Sequence, residues 1–295
     1  MKYKFLAVVA CVLWGSAFAA AKVGFEYMEP IRLSGFRFTL AGILLWPVMV
    51  YQKISLRGLL KHWKFMTLFA FMQTFLQYGL FFMGLNKVPG ATASVIVGAG
   101  PLFVALMAHY MLHNDRMTWR KTIAIFVGIC GVIFISLTKG KMLGEGWVFY
   151  EGIALLILSN LIGGSTNILV VRYREALSPI ALTSFANFTG GIMLILVSLF
   201  AEPLRPVPNT GEFWGVLLWL AFIPAAGFSI WYTLLQCSGL KVSELNMWKF
   251  IIPVTGCVLS WIFLPGESID YPSVIGVVII TLALFLFQLP VKKRS

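Results

Sequence analysis

The chain has 295 residues, of which 59% are hydrophobic and only 12% are charged. A soluble domain carries about 25% charged residues, so this composition excludes a solvated globular surface and predicts a protein embedded in a lipid bilayer. The formal net charge of +12 does not indicate nucleic-acid binding, because the basic residues lie between apolar segments rather than on one face.

Apolar segments follow one another along the whole chain, and a helix needs about 20 such residues to cross a bilayer. The predicted fold class is therefore an all-α membrane protein with ten transmembrane helices. The fifth segment is the shortest and extends toward Trp119 in an alternative assignment. The predicted spans are residues 5–23, 33–50, 65–85, 91–112, 123–137, 147–171, 180–200, 213–237, 245–264 and 273–289.

The first span begins like a secretory signal peptide, with Lys2 and Lys4 before an apolar run and Ala17-Phe18-Ala19 after it. The run continues to Val23, which is long enough to span the bilayer. The segment also has a counterpart in the middle of the chain, where no signal peptide occurs. We therefore expect it to be retained as the first transmembrane helix.

Two halves of the chain repeat each other at a nearly constant separation, which predicts a duplication with one repeat over residues 1–140 and a second over residues 145–290. In both halves an acidic residue follows a proline in an apolar segment by the same number of residues. The matched positions include Gly15 and Gly164, Ser16 and Ser165, Pro30 and Pro179, Pro101 and Pro253, and Asp115 and Glu267.

The orientation of the two halves follows from the number of spans. Five helices in each repeat force the second repeat to enter the membrane in the opposite direction. Lys and Arg are more frequent in the segments that are cytoplasmic when the N-terminus is cytoplasmic, so both termini are expected inside. Inverted repeats are typical of secondary transporters that expose a central site alternately to each side.

Polar side chains inside the predicted spans are candidates for the wall of a substrate site, because such side chains tend to face the interior of a membrane protein. Lys249 lies one turn before Pro253 and either binds an anionic group of the substrate or extends toward the cytoplasmic interface. The others either bind substrate or form hydrogen bonds between helices. The predicted wall consists of Trp14, Gln73, Gln77, Asn160, Asn167, Trp231, Tyr232, Asn246 and Lys249.

Two further patterns bear on mechanism. Gly90, Ser94 and Gly98 recur every four residues in the fourth span, which favours close packing between helices. Acidic residues are missing from the span centres, so the sequence offers no carboxylate for proton coupling at the midplane. The cysteines and histidines show no metal-ligand spacing, and neither a metal nor a cofactor is expected.

The motifs of the two halves resemble the EamA domain of the drug/metabolite transporter superfamily. The resemblance is carried by Trp14-Gly15-Ser16-Ala17-Phe18, Lys22, Pro30 and Arg37-Phe38, by Pro101-Leu102-Phe103, Asp115-Arg116, Gly128 and Gly131, and by Pro253-Val254, Glu267 and Gly276. In this chain Asp115 replaces the usual Glu, and the second copy has Gly163 where the first has Trp14.

The resemblance implies a central cavity lined by the first, third, fourth, sixth, eighth and ninth helices. It also implies efflux or exchange of small metabolites, amino acids or drugs across a bacterial inner membrane. Arg37, Asp115 and Glu267 match the family motif but are expected near the membrane faces, where they would be structural or gating groups.

The sequence therefore predicts a non-enzymatic secondary transporter, expected to export small organic solutes by alternating access from the inner membrane. Its partners would be a small-molecule substrate and the lipid bilayer, as a monomer or homodimer. A passive facilitator or channel is one alternative. A membrane-embedded lipid-modifying enzyme is another, for which His113-Asn114-Asp115 is the candidate cluster.

Overall fold

A computed structural model describes residues 2–54, 61–111, 118–143, 146–172, 177–207, 209–236, 245–246 and 248–288. Every regular element in this part of the chain is a helix. The His113-Asn114-Asp115 cluster lies outside the described residues. Seven of the described helices are long and apolar enough to cross a membrane, and three further apolar helices are shorter.

The described residues of the first half form eight α-helices and one π-helical segment. They are α1 (Lys2–Phe25), α2 (Pro30–Leu44), α3 (Trp46–Tyr51), α4 (Trp63–Ala70), the π-helical segment (Phe71–Leu76), α5 (Gln77–Lys87), α6 (Gly90–Gly98), α7 (Gly100–Met111) and α8 (Trp119–Leu143). The last of these is longer at both ends than the predicted fifth span, and it begins at Trp119, as the alternative assignment had it.

In the second half, the residues that the structure describes form five α-helices and one short 3₁₀ segment. They are α9 (Trp147–Arg172), α10 (Pro179–Ala201), α11 (Gly211–Gln236), the 3₁₀ segment (Trp248–Phe250), α12 (Ile251–Phe263) and α13 (Tyr271–Gln288). Pro30 and Pro179 open α2 and α10, where a missing backbone N–H costs nothing and the fixed φ angle suits a helix.

Besides the third span, which contains the π-helical segment, three predicted spans are not single regular helices. The chain leaves the α-helix at Leu45 between α2 and α3 and at Ala99 between α6 and α7, and the ninth span opens with the 3₁₀ segment before α12. Each irregularity lies two or three residues before a proline, at Pro47, Pro101 or Pro253. Proline lacks a backbone donor and its ring crowds the carbonyl four residues earlier, which disrupts the helix in the turn before it.

Glycines allow helices from the two halves to approach closely. A Cβ atom added at Gly42 of α2 would lie 2.6 Å from the backbone nitrogen of Phe188 and 2.8 Å from its Cα in α10. In the Gly90–Ser94–Gly98 stripe of α6, a Cβ at Gly98 would lie 2.6 Å from Pro253 Cγ in α12. The stripe is therefore a packing surface, as its spacing predicts.

Candidate functional site

A cavity of about 100 Å³ lies between helices of both halves. Its wall comes from α1, α2, α5, α6, α7, α9, α11, the 3₁₀ segment and α12, with aromatic rings beside amides and two cationic side chains. The residues that line it are Trp14, Ala17, Phe18, Arg37, Gln77, Tyr78, Phe81, Val97, Gly100, Val104, Ser159, Asn160, Gly163, Gly164, Thr166, Asn167, Phe228, Trp231, Tyr232, Lys249 and Ile252.

The ammonium group of Lys249 lies between two indole rings of the cavity wall. Lys249 Nζ is 4.7 Å from the ring centroid of Trp231 and 5.8 Å from that of Trp14. The two indoles are themselves in edge contact, with centroids 5.1 Å apart. Attraction to the faces of the rings holds the ammonium group at the cavity, where it is available to an anionic solute.

Two asparagines of α9 occupy the same wall and hold other parts of it in place. Asn160 Nδ2 donates to the carbonyl of Ile96 in α6 at 2.9 Å. Asn167 Nδ2 donates to the carbonyl of Gly163 at 2.7 Å, and Asn167 Oδ1 accepts from Trp231 Nε1 at 3.1 Å. Asn167 therefore fixes the orientation of the indole over which Lys249 lies.

The two glutamines of the third span do not share a face. Gln77 lines the cavity, whereas Gln73 is buried in the π-helical segment, where its Oε1 accepts from Thr74 Oγ1 at 2.8 Å. A π-helix bonds residue i to i+5, so residues four apart no longer stand directly above each other. Of these two residues of the predicted wall, Gln77 therefore lines the cavity and Gln73 does not.

Asn246 is also absent from the residues that line the cavity, although it is buried. In a continuous α-helix, the spacing of Asn246 and Lys249 would place both on one face. The 3₁₀ segment follows Asn246 instead, and its three-residue turn changes the direction of the side chains. The remaining members of the predicted wall all line the cavity.

Arg37 lies in the cavity wall rather than near a membrane face, where the family motif placed it. Only 2% of its surface is exposed, and its guanidinium carbon lies 4.6 Å from the ring centroid of Phe38 and 5.0 Å from that of Phe82. Tyr78 and Phe228 are further wall residues that the prediction missed. The charge of Arg37 inside an apolar span was the sequence feature that could have predicted its place in the cavity wall.

Two carboxylates of the second half bind the starts of helices in the first half. Glu202, after α10, accepts hydrogen bonds from the backbone N–H groups of Ile31 at 2.7 Å and Arg32 at 2.8 Å. Glu267, after α12, accepts from Gly90 at 2.6 Å and Ala91 at 2.9 Å. Helix N-termini attract anions, so both contacts hold the halves together at what we call the capped face.

The Glu202 contact forms against a cost of desolvation. Burial raises the pKa of the Glu202 carboxyl above its ordinary value, and the hydrogen bonds from Ile31 and Arg32 oppose that increase. The neighbouring Glu29 also raises this pKa, and it forms an ion pair with Arg205 at 3.0 Å. The Glu202 contact therefore combines a cost of desolvation with hydrogen bonds that oppose it.

The apolar helices, their length and a cavity lined by polar groups define the class of protein as a multi-pass helical membrane transporter. The profile of the EamA-like transporter family matches residues 1–137 and 150–289. The chain belongs to this family.

Named relatives agree with this assignment. The uncharacterized transporter YoaV of Bacillus subtilis (strain 168) is 22% identical over 285 residues, covering 96% of each chain. The uncharacterized transporter YvbV of the same organism is 25% identical, covering 96% of this chain and 90% of its own. An S-adenosylmethionine/S-adenosylhomocysteine transporter of Chlamydia trachomatis serovar L2 is 27% identical, covering 52% of this chain and 47% of its own.

The fold also matches that of a solved crystal structure. The two superpose with a TM-score of 0.74 over 98% of this chain and 96% of the other, at 16% sequence identity. At that identity, the likeness concerns the fold alone.

Proposed function

We propose that this protein is a secondary transporter that exports a small organic solute, such as an amino acid or a drug, from the cell by alternating access. The observation that carries the proposal is the cavity between the two halves, in which Lys249 lies against Trp14 and Trp231. A site between two repeats is where secondary transporters bind their solutes.

We further propose ten membrane spans in two inverted repeats, over residues 1–140 and 145–290. The helix contacts support this arrangement because a helix of one half and its counterpart in the other half each pack against corresponding helices of the opposite half. Helix α1 packs against α11 and α12, and its counterpart α9 packs against α5 and α7. Helices α2 and α10, α6 and α12, and α8 and α13 pack against each other across the halves.

We propose that the protein lies in the bilayer of the cell membrane, with both termini cytoplasmic. In that orientation the capped face is external, and the cavity is closed toward the outside by the contacts of Glu202 and Glu267. Alternating access then requires these contacts to break when the solute leaves. They connect the two halves, which is where a rocking motion would separate them.

The combined substitution of Glu202→Gln and Glu267→Gln is expected to open the capped face. Glutamine keeps one acceptor oxygen but loses the charge and the second acceptor, and a hydrogen bond to a charged group contributes about 1.5–3 kcal/mol. In a variant whose native cysteines are replaced, a cysteine at Ala17 in the cavity wall reports the opening. Its labelling by an impermeant maleimide from outside should accelerate about tenfold.

Glu151→Gln is the matched control for this experiment. Glu151 forms an exposed ion pair with Lys87 at 2.9 Å, and its own side chain is 54% exposed. Surface pairs of this kind contribute little to stability, so labelling should stay at the rate of the parent protein. An unchanged rate in the Glu202/Glu267 double variant would contradict the role of the capped face as a gate.

The transport proposal is tested by counterflow in proteoliposomes with a panel of amino acids, carboxylates, amines and S-adenosylmethionine. We expect at least one labelled solute to enter faster when the same solute is present inside. S-adenosylmethionine belongs in the panel because it is named for the Chlamydia relatives. Flux that neither saturates nor responds to internal solute would instead favour a channel. An absence of flux for every solute would contradict the proposal.

A further inference from the structure

Two cationic side chains line the cavity without a carboxylate beside them in the described wall. Lys249 lies at one side on the 3₁₀ segment and Arg37 at another on α2. None of the described residues that line the cavity is Asp or Glu. Burying a cation without an anion is unfavourable, so the positive charge of the described wall lacks a negative charge to balance it.

Arg37 has donor atoms that nothing described in the protein satisfies. Its Nε and Nη1 atoms are buried and have no hydrogen-bond partner among the described residues. The rings of Phe38 and Phe82 attract the face of the guanidinium group, but they offer no acceptor to its edge. Guanidinium N–H donors suit the oxygens of a carboxylate.

The other unsatisfied group of the cavity wall is also a donor. Trp14 Nε1 is buried and has no hydrogen-bond partner in the described part of the chain. In contrast, the acceptor Oδ1 of Asn167 is already occupied by Trp231 Nε1. The unsatisfied side-chain atoms of the described wall are therefore all donors.

A row of aromatic rings connects the two cationic groups. Arg37 lies 5.8 Å from the centroid of Tyr78, which is 5.8 Å from that of Phe228, and Phe228 is 5.5 Å from Trp14. Lys249 follows at 5.8 Å from Trp14. The cations are thus the two ends of one chain of ring contacts, with apolar surface between them.

We infer that the solute of this cavity is a small dicarboxylate, an inference that rests on the transport function proposed above. One carboxylate binds the ammonium group of Lys249, and the other accepts hydrogen bonds from the guanidinium group of Arg37. The carbon chain between them lies along Tyr78 and Phe228. A monoanion of the same length leaves one of the two cations unpaired, which separates the two kinds of ligand.

The test compares dicarboxylates with their half-amides, which keep the length and remove one charge. Malonate, succinate, glutarate and adipate, each beside its half-amide, are titrated into the purified protein by calorimetry. We expect one dicarboxylate to bind about tenfold or more tightly than its half-amide. Equal affinities for both members of every pair, or no binding by any of them, would overturn the inference without any variant.

Arg37→Gln assigns the second carboxylate to its partner. In this variant the preferred dicarboxylate and its half-amide should bind with equal affinity, while Lys64→Gln, at an exposed lysine outside the cavity, should keep the difference. A preference that survives Arg37→Gln would overturn the role of Arg37. Arg37→Lys retains the charge and serves if the glutamine variant does not fold.

The failure of this inference differs from the failure of the transport proposal. Counterflow of neutral or cationic solutes, together with no binding of dicarboxylates, would remove the dicarboxylate assignment and leave the transporter. No counterflow for any solute of the panel would remove the transporter itself.

Discussion

Lys249→Gln is expected to lower the counterflow rate about tenfold to a hundredfold. The change keeps most of the length of the side chain but removes the positive charge from between Trp14 and Trp231. A hydrogen bond that involves a charged group contributes about 1.5–3 kcal/mol, which corresponds to this loss of affinity. The measurement is the initial rate of counterflow in proteoliposomes that contain equal amounts of inserted protein.

Lys64→Gln is the matched control, because Lys64 is also a lysine over an indole. Its Nζ lies 5.8 Å from the ring of Trp63, but Lys64 is exposed and does not line the cavity. We expect the Lys64→Gln protein to give the wild-type counterflow rate. Wild-type transport from Lys249→Gln would show that Lys249 serves only as a lysine that reaches toward the membrane interface, the second interpretation of its position in the sequence.

Gly42→Ala is expected to destabilise the folded protein by about 1–3 kcal/mol, the usual cost of inserting volume into a packed contact. The added Cβ would lie 2.6 Å from the backbone nitrogen of Phe188, and the backbone of α10 cannot move aside as a side chain could. The carbonyl of Gly42 also accepts a hydrogen bond from Ser184 Oγ at 2.9 Å, which separation of the helices would stretch. The thermal unfolding midpoint in detergent should fall accordingly.

Gly215→Ala provides the control, since a Cβ at Gly215 in α11 would meet nothing within 4 Å. Alanine is the better helix former by about 1 kcal/mol, so this variant should unfold at the wild-type temperature or above it. A Gly42→Ala protein as stable as Gly215→Ala would contradict the close packing of α2 against α10.

Much of the fold was predictable because its strongest constraint acts on composition. Backbone polar groups must be satisfied within the bilayer, which requires helices, and the apolar runs mark where they lie. The irregularities at Leu45 and Ala99 could not be placed from hydrophobicity. Their prolines were visible in the sequence, but a proline in a membrane helix is compatible with either a kink or a break.

The cavity wall was partly predictable for a similar reason. Trp14, Asn167 and Lys249 are costly in a lipid-facing position, so their place in the wall of a shared cavity was foreseeable. Gln73 was misassigned because hydrogen bonding in the π-helical segment leaves no mark on hydrophobic periodicity. The family motif led us to expect Arg37 near a membrane face. The free-energy cost of a charged side chain within a span would instead have predicted a position in the cavity wall.

The two ends of the proposed pathway are unequal. Glu202 is separated from Lys53 by the same number of residues as Pro179 from Pro30, so Lys53 holds the corresponding position in the first half. Lys53 borders a cleft of about 620 Å³ that Ala181, near the start of α10, also lines. A helix start carries partial positive charge, so an ammonium group opposes closure there, whereas the carboxylate of Glu202 favours closure at the capped face.

For a carrier that works as proposed, the difference between Glu202 and Lys53 biases the empty protein toward the state that is closed at the capped face. The solute then meets a larger competent population at the open face and half-saturates the carrier at a lower concentration from that side. An uncoupled carrier must still give zero net flux when the concentrations are equal. Its maximal rates in the two directions must therefore differ by the same ratio as its half-saturation constants.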